Sequence, residues 1–598
     1  MNFFKMFLAG LLAFVVGGFV TTFLWIFILV GLAGSMEKSV LVEQNSILKI
    51  DLEEEIVDAP PALPWSSFNM ATMEMTPSLT LFKALRAIEA AQNDDRIKGI
   101  YLRLNGKGGA SIAIAEELRE AIVAFKKSGK FVVAYNEVYG QGGYYLASAA
   151  DKIYLQPQGA ISWQGLNFTL MFYKGLFDKL DIQYEVFRPT VCKYKSAVEP
   201  YFLTKMSDAN REQMQQLVQS MWGTLSSAVA ESRGIELAKL NALTDSLAVS
   251  EPAEALKNGF VDSLIYEDQM NDVFKGLGVE ADSKGEYKMI TLGEYAAQVS
   301  ADVKNISASQ IAIVYAQGAI VDGEGVGAEI YGNTLAKTIA DVRKDAKIKA
   351  VVLRVNSPGG SALASDVIWR EVELLKKEKP VIVSMGSYAA SGGYYIACPA
   401  DVIIADRTTL TGSIGVFGAF PIVGDLMRDK LGITFDGVKS NTSADMGSSV
   451  MGLGVIRPLN AAERIFIMKS IDKVYATFTG NVAAGRNLPI EKVLEIAGGR
   501  VWSGTDALNI GLIDSYGGLG TAISIAADKA GLGDKYFVKE ITEKPEGIAA
   551  IFSMINAQVK AEFALDELGL MLKPYQKAQE MMKQQGVLMY CPYDIDVR

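Results

Sequence analysis

Tyr388-Ala389-Ala390-Ser391-Gly392-Gly393-Tyr394-Tyr395 follows the apolar run Val381-Ile382-Val383, and its Gly-Gly-Tyr-Tyr frame occurs earlier as Tyr139-Gly140-Gln141-Gly142-Gly143-Tyr144-Tyr145. Further matches keep the same order. Ile56-Val57-Asp58 answers Ile320-Val321-Asp322, and Ile100-Tyr101-Leu102-Arg103-Leu104-Asn105 answers Val351-Val352-Leu353-Arg354-Val355-Asn356. Gly108-Gly109 answers Gly359-Gly360, while Ala147, Ala150 and Asp151 answer Ala397, Ala400 and Asp401. Near the end of each copy, Gly259-Phe260-Val261-Asp262 answers Gly511-Leu512-Ile513-Asp514. The chain is an internal duplication of a unit of roughly 230 residues, domain-sized and far above solenoid periods.

Within each copy, short β-branched runs alternate with amphipathic segments of helix length, which predicts an α/β fold. The first copy spans 47–275 and opens on Ile47-Leu48-Lys49-Ile50-Asp51-Leu52, which alternates as a half-buried strand does. The second spans 310–533, with Ile311 to Val314, Val351 to Val355, Val381 to Val383 and Val402 to Ile404 as strands. Gly359-Gly360 reads as a turn after a strand; Ser361 then caps a helix carrying Leu363, Val367, Val372 and Leu375 on one side, stopped by Pro380. Ala209 to Gly234 and Ala461 to Gly485 read as long packing helices. A linker is expected over 276–309. The extension 534–598 has no counterpart in the first copy, and its Met571 to Met589 region reads as a packing helix.

Composition narrows the function. A chain of 598 residues with net charge −10 and no Lys/Arg block is not built for nucleic acid. Cys192, Cys398 and Cys591 are too few and too scattered for a disulfide framework or a metal site. The chain has no histidine, which removes Ser-His-Asp and Cys-His catalysis and histidine-ligated metals. A hydrolase made from it takes its base from Lys, Glu, Asp, Tyr or a terminal amine. Residues 1–36 carry a single charge, Lys5, before an uncharged stretch from Met6 to Met36, longer than the ~20 residues a spanning helix needs. This predicts an N-terminal transmembrane anchor, with cleavage near Ala33-Gly34-Ser35 as the alternative. Lys5 and the amino terminus place the N-terminus in the cytoplasm and the body outside.

Ser391, among small residues after a strand, is placed as a nucleophile, although Ala389 keeps the motif from being a Gly-x-Ser-x-Gly elbow. The Gly392 N–H and the glycines of Asn356-Ser357-Pro358-Gly359-Gly360 are candidate oxyanion donors. Lysine is the expected base, made neutral by burial. After Lys179-Leu180-x-Ile182, the first copy continues with Cys192-Lys193-Tyr194-Lys195-Ser196-Ala197-Val198-Glu199-Pro200. After Lys430-Leu431-x-Ile433, the second reads Val438-Lys439-Ser440-Asn441-Thr442-Ser443-Ala444-Asp445-Met446, with no lysine at the equivalent place. The serine survives in one copy and the lysine in the other, so one site is shared between halves, of one chain or of neighbouring chains. Tyr394 and Tyr395 read as core residues and Cys398 as a buried thiol.

These motifs, with Lys-Ser-Ala-Val-Glu-Pro at 195–200, Ala-Ser-Gly-Gly-Tyr-Tyr at 390–395 and Thr-Gly-Ser-Ile-Gly at 411–415, resemble the long, duplicated form of the signal peptide peptidase A family. That family comprises membrane-anchored serine proteases of the Clp protease and crotonase superfamily, and the likeness runs from the anchor to about Gly533. The resemblance implies tandem crotonase-like ββα units, Ser391 as nucleophile, Lys195 as general base and Ser413 as the hydroxyl that orients the lysine. Gly359, Gly360 and Gly392 would then lie around the oxyanion hole. It further implies degradation of apolar remnant signal peptides at the inner membrane, from its outer, periplasmic side. The assembly would be a bowl-shaped homotetramer without a cofactor. Two other classes share these features: an inactive membrane scaffold of the same fold, and a crotonase-like acyl-thioester enzyme.

Overall fold

The computed structural model describes residues 41–61, 68–69, 74–75, 78–104, 111–302, 309–450, 452–542 and 587–591. The expected anchor and Gly108-Gly109 lie outside these residues. Among the described residues, no helix is long and apolar enough to cross a membrane.

In the first copy, the strands that matter here are β1 (Ser46–Ile50), β2 (Ile97–Leu102), β3 (Phe131–Tyr139), β4 (Lys152–Ile161), β5 (Gln183–Phe187), β6 (Ser263–Leu264) and β7 (Met289–Thr291). Six of them form a parallel sheet in the order β6-β4-β3-β2-β1-β7. The second copy supplies β8 (Gln310–Gln317), β9 (Ile348–Ser357), β10 (Gly359–Ser361), β11 (Val381–Ala390), β12 (Val402–Ala405), β13 (Leu410–Gly412) and β14 (Phe417–Ile422). After these come β15 (Val501–Ser503), β16 (Ser515–Tyr516), β17 (Phe537–Ile541) and β18 (Val587–Tyr590). Its parallel run β16-β12-β11-β9-β8-β17 repeats the first sheet strand for strand. Ile311 to Val314, Val351 to Leu353 and Val381 to Val383 are buried throughout, as strands covered on both faces by helices must be.

The repeat extends further than the sequence suggests. The stretch 276–309, expected as a linker, contributes β7 to the first sheet, beside β1. Phe537–Ile541, in the extension expected to lack a counterpart, takes the same place beside β8. Both are short edge strands whose side chains alternate too little to stand out from loop sequence. Gly359-Gly360 is not a bare turn but part of β10, and Val587–Tyr590, expected within a helix, is a strand paired to it. The buried face of the helix after Ser361, α4 below, is Ala364, Ile368, Val372 and Leu375; Leu363, 68% exposed, points away from it.

The helices that matter here are α1 (Ile112–Lys126), α2 (Gln141–Ala147), α3 (Asp208–Arg233), α4 (Ala362–Lys376), α5 (Gly392–Ala397) and α6 (Ala461–Arg486). Ser361 caps α4 by accepting from the Ala364 N–H. The two copies share a third sheet, in which β5 of the first lies antiparallel to β14 of the second.

A buried arginine locks the copies together. Arg354 on β9 donates to Asp58 (2.9 and 2.6 Å) and to Glu117 on α1 (2.7 Å), both from the first copy, and to Ser384 Oγ (2.8 Å). Asn356 Nδ2 donates to the other Asp58 oxygen, and the Leu519 N–H to the other Glu117 oxygen. Its counterpart Arg103 instead pairs with Glu137 and Glu267, whose side chains are 41% and 59% exposed. Breaking a buried pair strands charges in a dry interior, at a cost of about 3–5 kcal/mol, whereas pairs reaching solvent contribute about 1 kcal/mol or less. Arg354→Leu is expected to lower the urea midpoint of unfolding well below that of Arg103→Leu. Equal shifts for the two variants would contradict the interface role.

Candidate active site

β9 and β11 are parallel neighbours, so their C-terminal ends open on the same edge, where crevices of parallel sheets form. Ser391 follows β11 directly and β10 follows β9. Ser391 is wholly buried, with φ 57° and ψ −115°, a conformation that costs a non-glycine residue about 1–3 kcal/mol. Its N–H donates to the Gly412 carbonyl (2.8 Å), and its carbonyl accepts from Tyr395 N–H (2.9 Å). The pairing of β11 with β13 sets Ala390 beside Gly412, which brings Ser413 alongside Ser391.

Lys195 arrives from the first copy. β5, anchored on β14, sends the loop 188–198 over the second copy, and α3 holds the loop's far side. Gln213 Nε2 on α3 donates to the Tyr194 carbonyl and to Ser196 Oγ. The Glu199 carboxylate accepts from Ser207 and Asn210, tying the Lys-Ser-Ala-Val-Glu-Pro stretch to the first turn of that helix. The Lys195 side chain, 1% exposed, ends 2.7 Å from Ser391 Oγ, 2.9 Å from Ser413 Oγ and 3.0 Å from the Ser413 carbonyl. The neighbouring Lys193 is exposed, with its ammonium over the Tyr194 ring. Burial pushes the Lys195 ammonium down to about 8, against weaker pulls from the Cys591 and Cys192 thiols.

The amine's three partners match its chemistry. As a neutral base, Nζ accepts the Ser391 hydroxyl proton and donates its two hydrogens to the Ser413 hydroxyl and carbonyl. As an ammonium it donates to all three. Proton transfer from Ser391 therefore requires no change of partners.

Gly359, Gly360 and Gly392 form a wall beside the serine. A Cβ on Gly392 would meet Gly359 Cα and Gly360 N at 3.1 Å, and one on Gly359 would come within 2.6 Å of Gly392 N. The Gly359 N–H donates to Ser357 Oγ (3.2 Å). Tyr394 and Tyr395 are buried and donate their hydroxyls to the Leu512 carbonyl and to Asp366; Cys398 is buried with its thiol pushed far up by that burial.

The first copy's Gln141 sits at the start of α2, in an ordinary helical conformation. Its amide donates to the Gly165 carbonyl and accepts from the N–H groups of Gln164 and Gly165, so it is committed to structure.

The model of peptidase family S49 matches residues 124–282 and 373–533, one stretch in each copy. The chain belongs to peptidase family S49. It is 35% identical over 506 residues to Protease 4 of Haemophilus influenzae, covering 82% of this chain and 80% of that one. Protease 4 of Salmonella typhi is 35% identical over 556 residues, 90% of this chain and 87% of its own. The chloroplastic serine protease SPPA of Arabidopsis thaliana is 34% identical over 535 residues, 87% and 74% respectively. Likeness along this length, with two family matches in one chain, is that of a long, duplicated S49 serine peptidase.

One positioning feature of this S49 peptidase escaped the sequence reading: Gly498-Gly499. The Gly498 carbonyl accepts from Tyr194 N–H, and a Cβ on Gly499 would lie 2.5 Å from Lys195 Cβ. A Gly-Gly pair before Val501-Trp502 was the available signal, although it looks like any turn. Gly499→Ala is expected to slow Ser391 acylation by at least about tenfold, about 1.4 kcal/mol or more of lost alignment. Gly129→Ala, with a similar φ (82° against 81°) but open space around it, is the control and should not change the rate. Equal rates for the two variants would show that the contact does not position the lysine.

Proposed function

We propose that the chain is a Ser-Lys endopeptidase in which Ser391 is the nucleophile and Lys195, from the other copy, the general base. The observation that carries this reading is the 2.7 Å approach of Lys195 Nζ to Ser391 Oγ, with Ser413 filling the other two directions of the amine. Neutral Lys195 takes the hydroxyl proton as Oγ attacks the peptide carbonyl carbon. The resulting oxyanion lies against the glycine wall, where the Gly392 N–H serves it and Gly359 and Gly360, without side chains, leave it room. The lysine then gives its proton to the departing amine as the C–N bond breaks, leaving an acyl ester on Ser391. Water, deprotonated by the same lysine, hydrolyses the ester and regenerates both groups. Ser413 keeps the amine aimed at Oγ through both half-reactions.

The substrate class we infer is apolar peptide, remnant signal peptides above all. Met214, Leu217 and Met221 of α3, with Leu410 and Val501, form an apolar cluster against Ala390, next to the nucleophile. With residues 1–36 read as a bilayer anchor, such peptides reach the site from the membrane, the body lying on the outer side of the inner membrane and assembled as a homotetramer. Each copy's strand and helix succession fits a crotonase-like ββα unit.

Ser391→Ala and Lys195→Ala are each expected to reduce hydrolysis of an apolar reporter peptide at least about a thousandfold, and wild-type rates in either would overturn the mechanism. Because the neutral amine is the active form, kcat/KM should fall about tenfold per pH unit below about 8 and level off above it. A flat profile from pH 6 to 9 would exclude a lysine base of this pKa.

A further inference from the structure

The groove in front of Ser391 contains a segment of the chain itself. Val587–Tyr590, strand β18, lies antiparallel to β10, with Gly359 opposite Tyr590, Gly360 opposite Met589 and Ser361 opposite Leu588. Its other edge pairs with β14, Phe417 opposite Leu588 and Gly418 opposite Val587. The Cys591 N–H continues the ladder by donating to the Pro358 carbonyl (2.7 Å). β10 carries two of the wall glycines, and β14 follows the Ser413 turn, so the strand fills the gap between the two sides of the site.

The side chains are arranged as those of a bound peptide. Met589 and Cys591, two residues apart and hence on one face of an extended chain, are 0% and 1% exposed. Cys591 packs in the apolar cluster with Ala390, Met214, Leu217 and Met221, and its thiol is near enough to Lys195 to act on the ammonium. The fit is close at the backbone too: a Cβ on Gly359 would lie 2.1 Å from the Met589 carbonyl oxygen. Main-chain pairing supplies affinity and alternate buried side chains supply selectivity, the logic of a peptide that adds itself as a strand.

We propose that Val587–Cys591 is a built-in competitive inhibitor, seated in the peptide groove and displaced by substrate. This rests on the Ser391–Lys195 reading of the site. The residue after Cys591 is Pro592. Its nitrogen carries a ring carbon in place of the amide hydrogen, which crowds the group that must protonate the leaving nitrogen, so the bond beyond the seated strand is a poor one to cleave. Tethering gives the segment an effective concentration of up to about millimolar, enough for even a weak peptide to hold the groove closed.

The test compares the full chain with a chain ending at Gly586 and with full-length Met589→Asp, which puts a carboxylate into the buried position without shortening the protein. Hydrolysis of an apolar reporter peptide, fluorophosphonate labelling of Ser391 and intact mass are measured for all three. Both variants should show kcat/KM and labelling rates at least about tenfold above wild type. The synthetic peptide Val-Leu-Met-Tyr-Cys-Pro should inhibit the shortened chain competitively. It should also bind shortened Ser391→Ala by fluorescence anisotropy, a readout independent of turnover. The wild-type mass should include Pro592 to Arg598. Rates within twofold of wild type with no peptide binding would overturn the inhibitor while leaving the dyad standing. Loss of activity in both variants would make the strand a structural wall, and a wild-type chain ending at Cys591 would make it a substrate; either overturns the proposal. Absence of turnover and labelling in every form, wild type included, would instead bring down the Ser-Lys reading and this proposal with it.

Discussion

A lysine in water is an ammonium and no base, so a chain without histidine gains a lysine base only by keeping that amine dry and away from carboxylates. The architecture around Lys195 follows from this constraint. The lysine comes from the first copy and its walls from the second: Ser413, Ser391 and Gly499, where a side chain would collide with Lys195. The opposing pulls on its charge come from thiols, and burial outweighs them. The other buried cation between the copies shows the reverse solution. Arg354 is equally dry but meets Asp58 and Glu117, keeps its charge and fastens the copies together. One interface thus contains a cation whose proton is loosened by isolation and another whose charge is held by partners.

Duplication makes this division of labour possible. The two parallel sheets repeat strand for strand, so the fold supplies two equivalent positions after the third strand of each sheet. In one, Ser391 is held at positive φ by hydrogen bonds to Gly412 and Tyr395. In the other, Gln141 is relaxed into the helix and spends its amide on Gln164 and Gly165. Backbone strain is thus stored at Ser391 and absent at Gln141. The same asymmetry separates Arg354 from Arg103, one buried between copies and the other facing carboxylates at the surface.

The duplication, the parallel α/β character and the serine turn were legible because each is local: a repeated motif, β-branched runs buried on both faces, and small residues that permit a tight turn; that the turn buries Ser391 completely was not. Comparison of the copies pointed only to the lysine-bearing stretch of the first; the choice of Lys195 over Lys193 rested on the resemblance of Lys-Ser-Ala-Val-Glu-Pro to the family motif, since the two lysines differ in the direction the loop gives them. What escaped were features fixed at long range. The edge strands Met289–Thr291 and Phe537–Ile541 are too short to show a period, and the glycines at 498 and 499 resemble an ordinary turn until Lys195 is seen against them. β18 is strand-like only because β10 and β14 offer it two edges; alone, its methionine-rich surroundings read as helix. Leu363 lies off the buried stripe of α4, whose place its apolar character alone suggests, because Ala364 and Ile368 take those positions.

The account holds that Ser391 and Lys195 of one chain form one site. Full-length Ser391→Ala and Lys195→Ala chains, mixed in equal amounts under conditions that allow subunits to exchange, test this most directly when fluorophosphonate labelling and reporter hydrolysis are followed. A site built within each chain predicts activity no higher than the sum of the two separate variants. Recovery toward the wild-type rate, with label on the Lys195→Ala chain, would place the lysine and the serine on different chains and contradict the account.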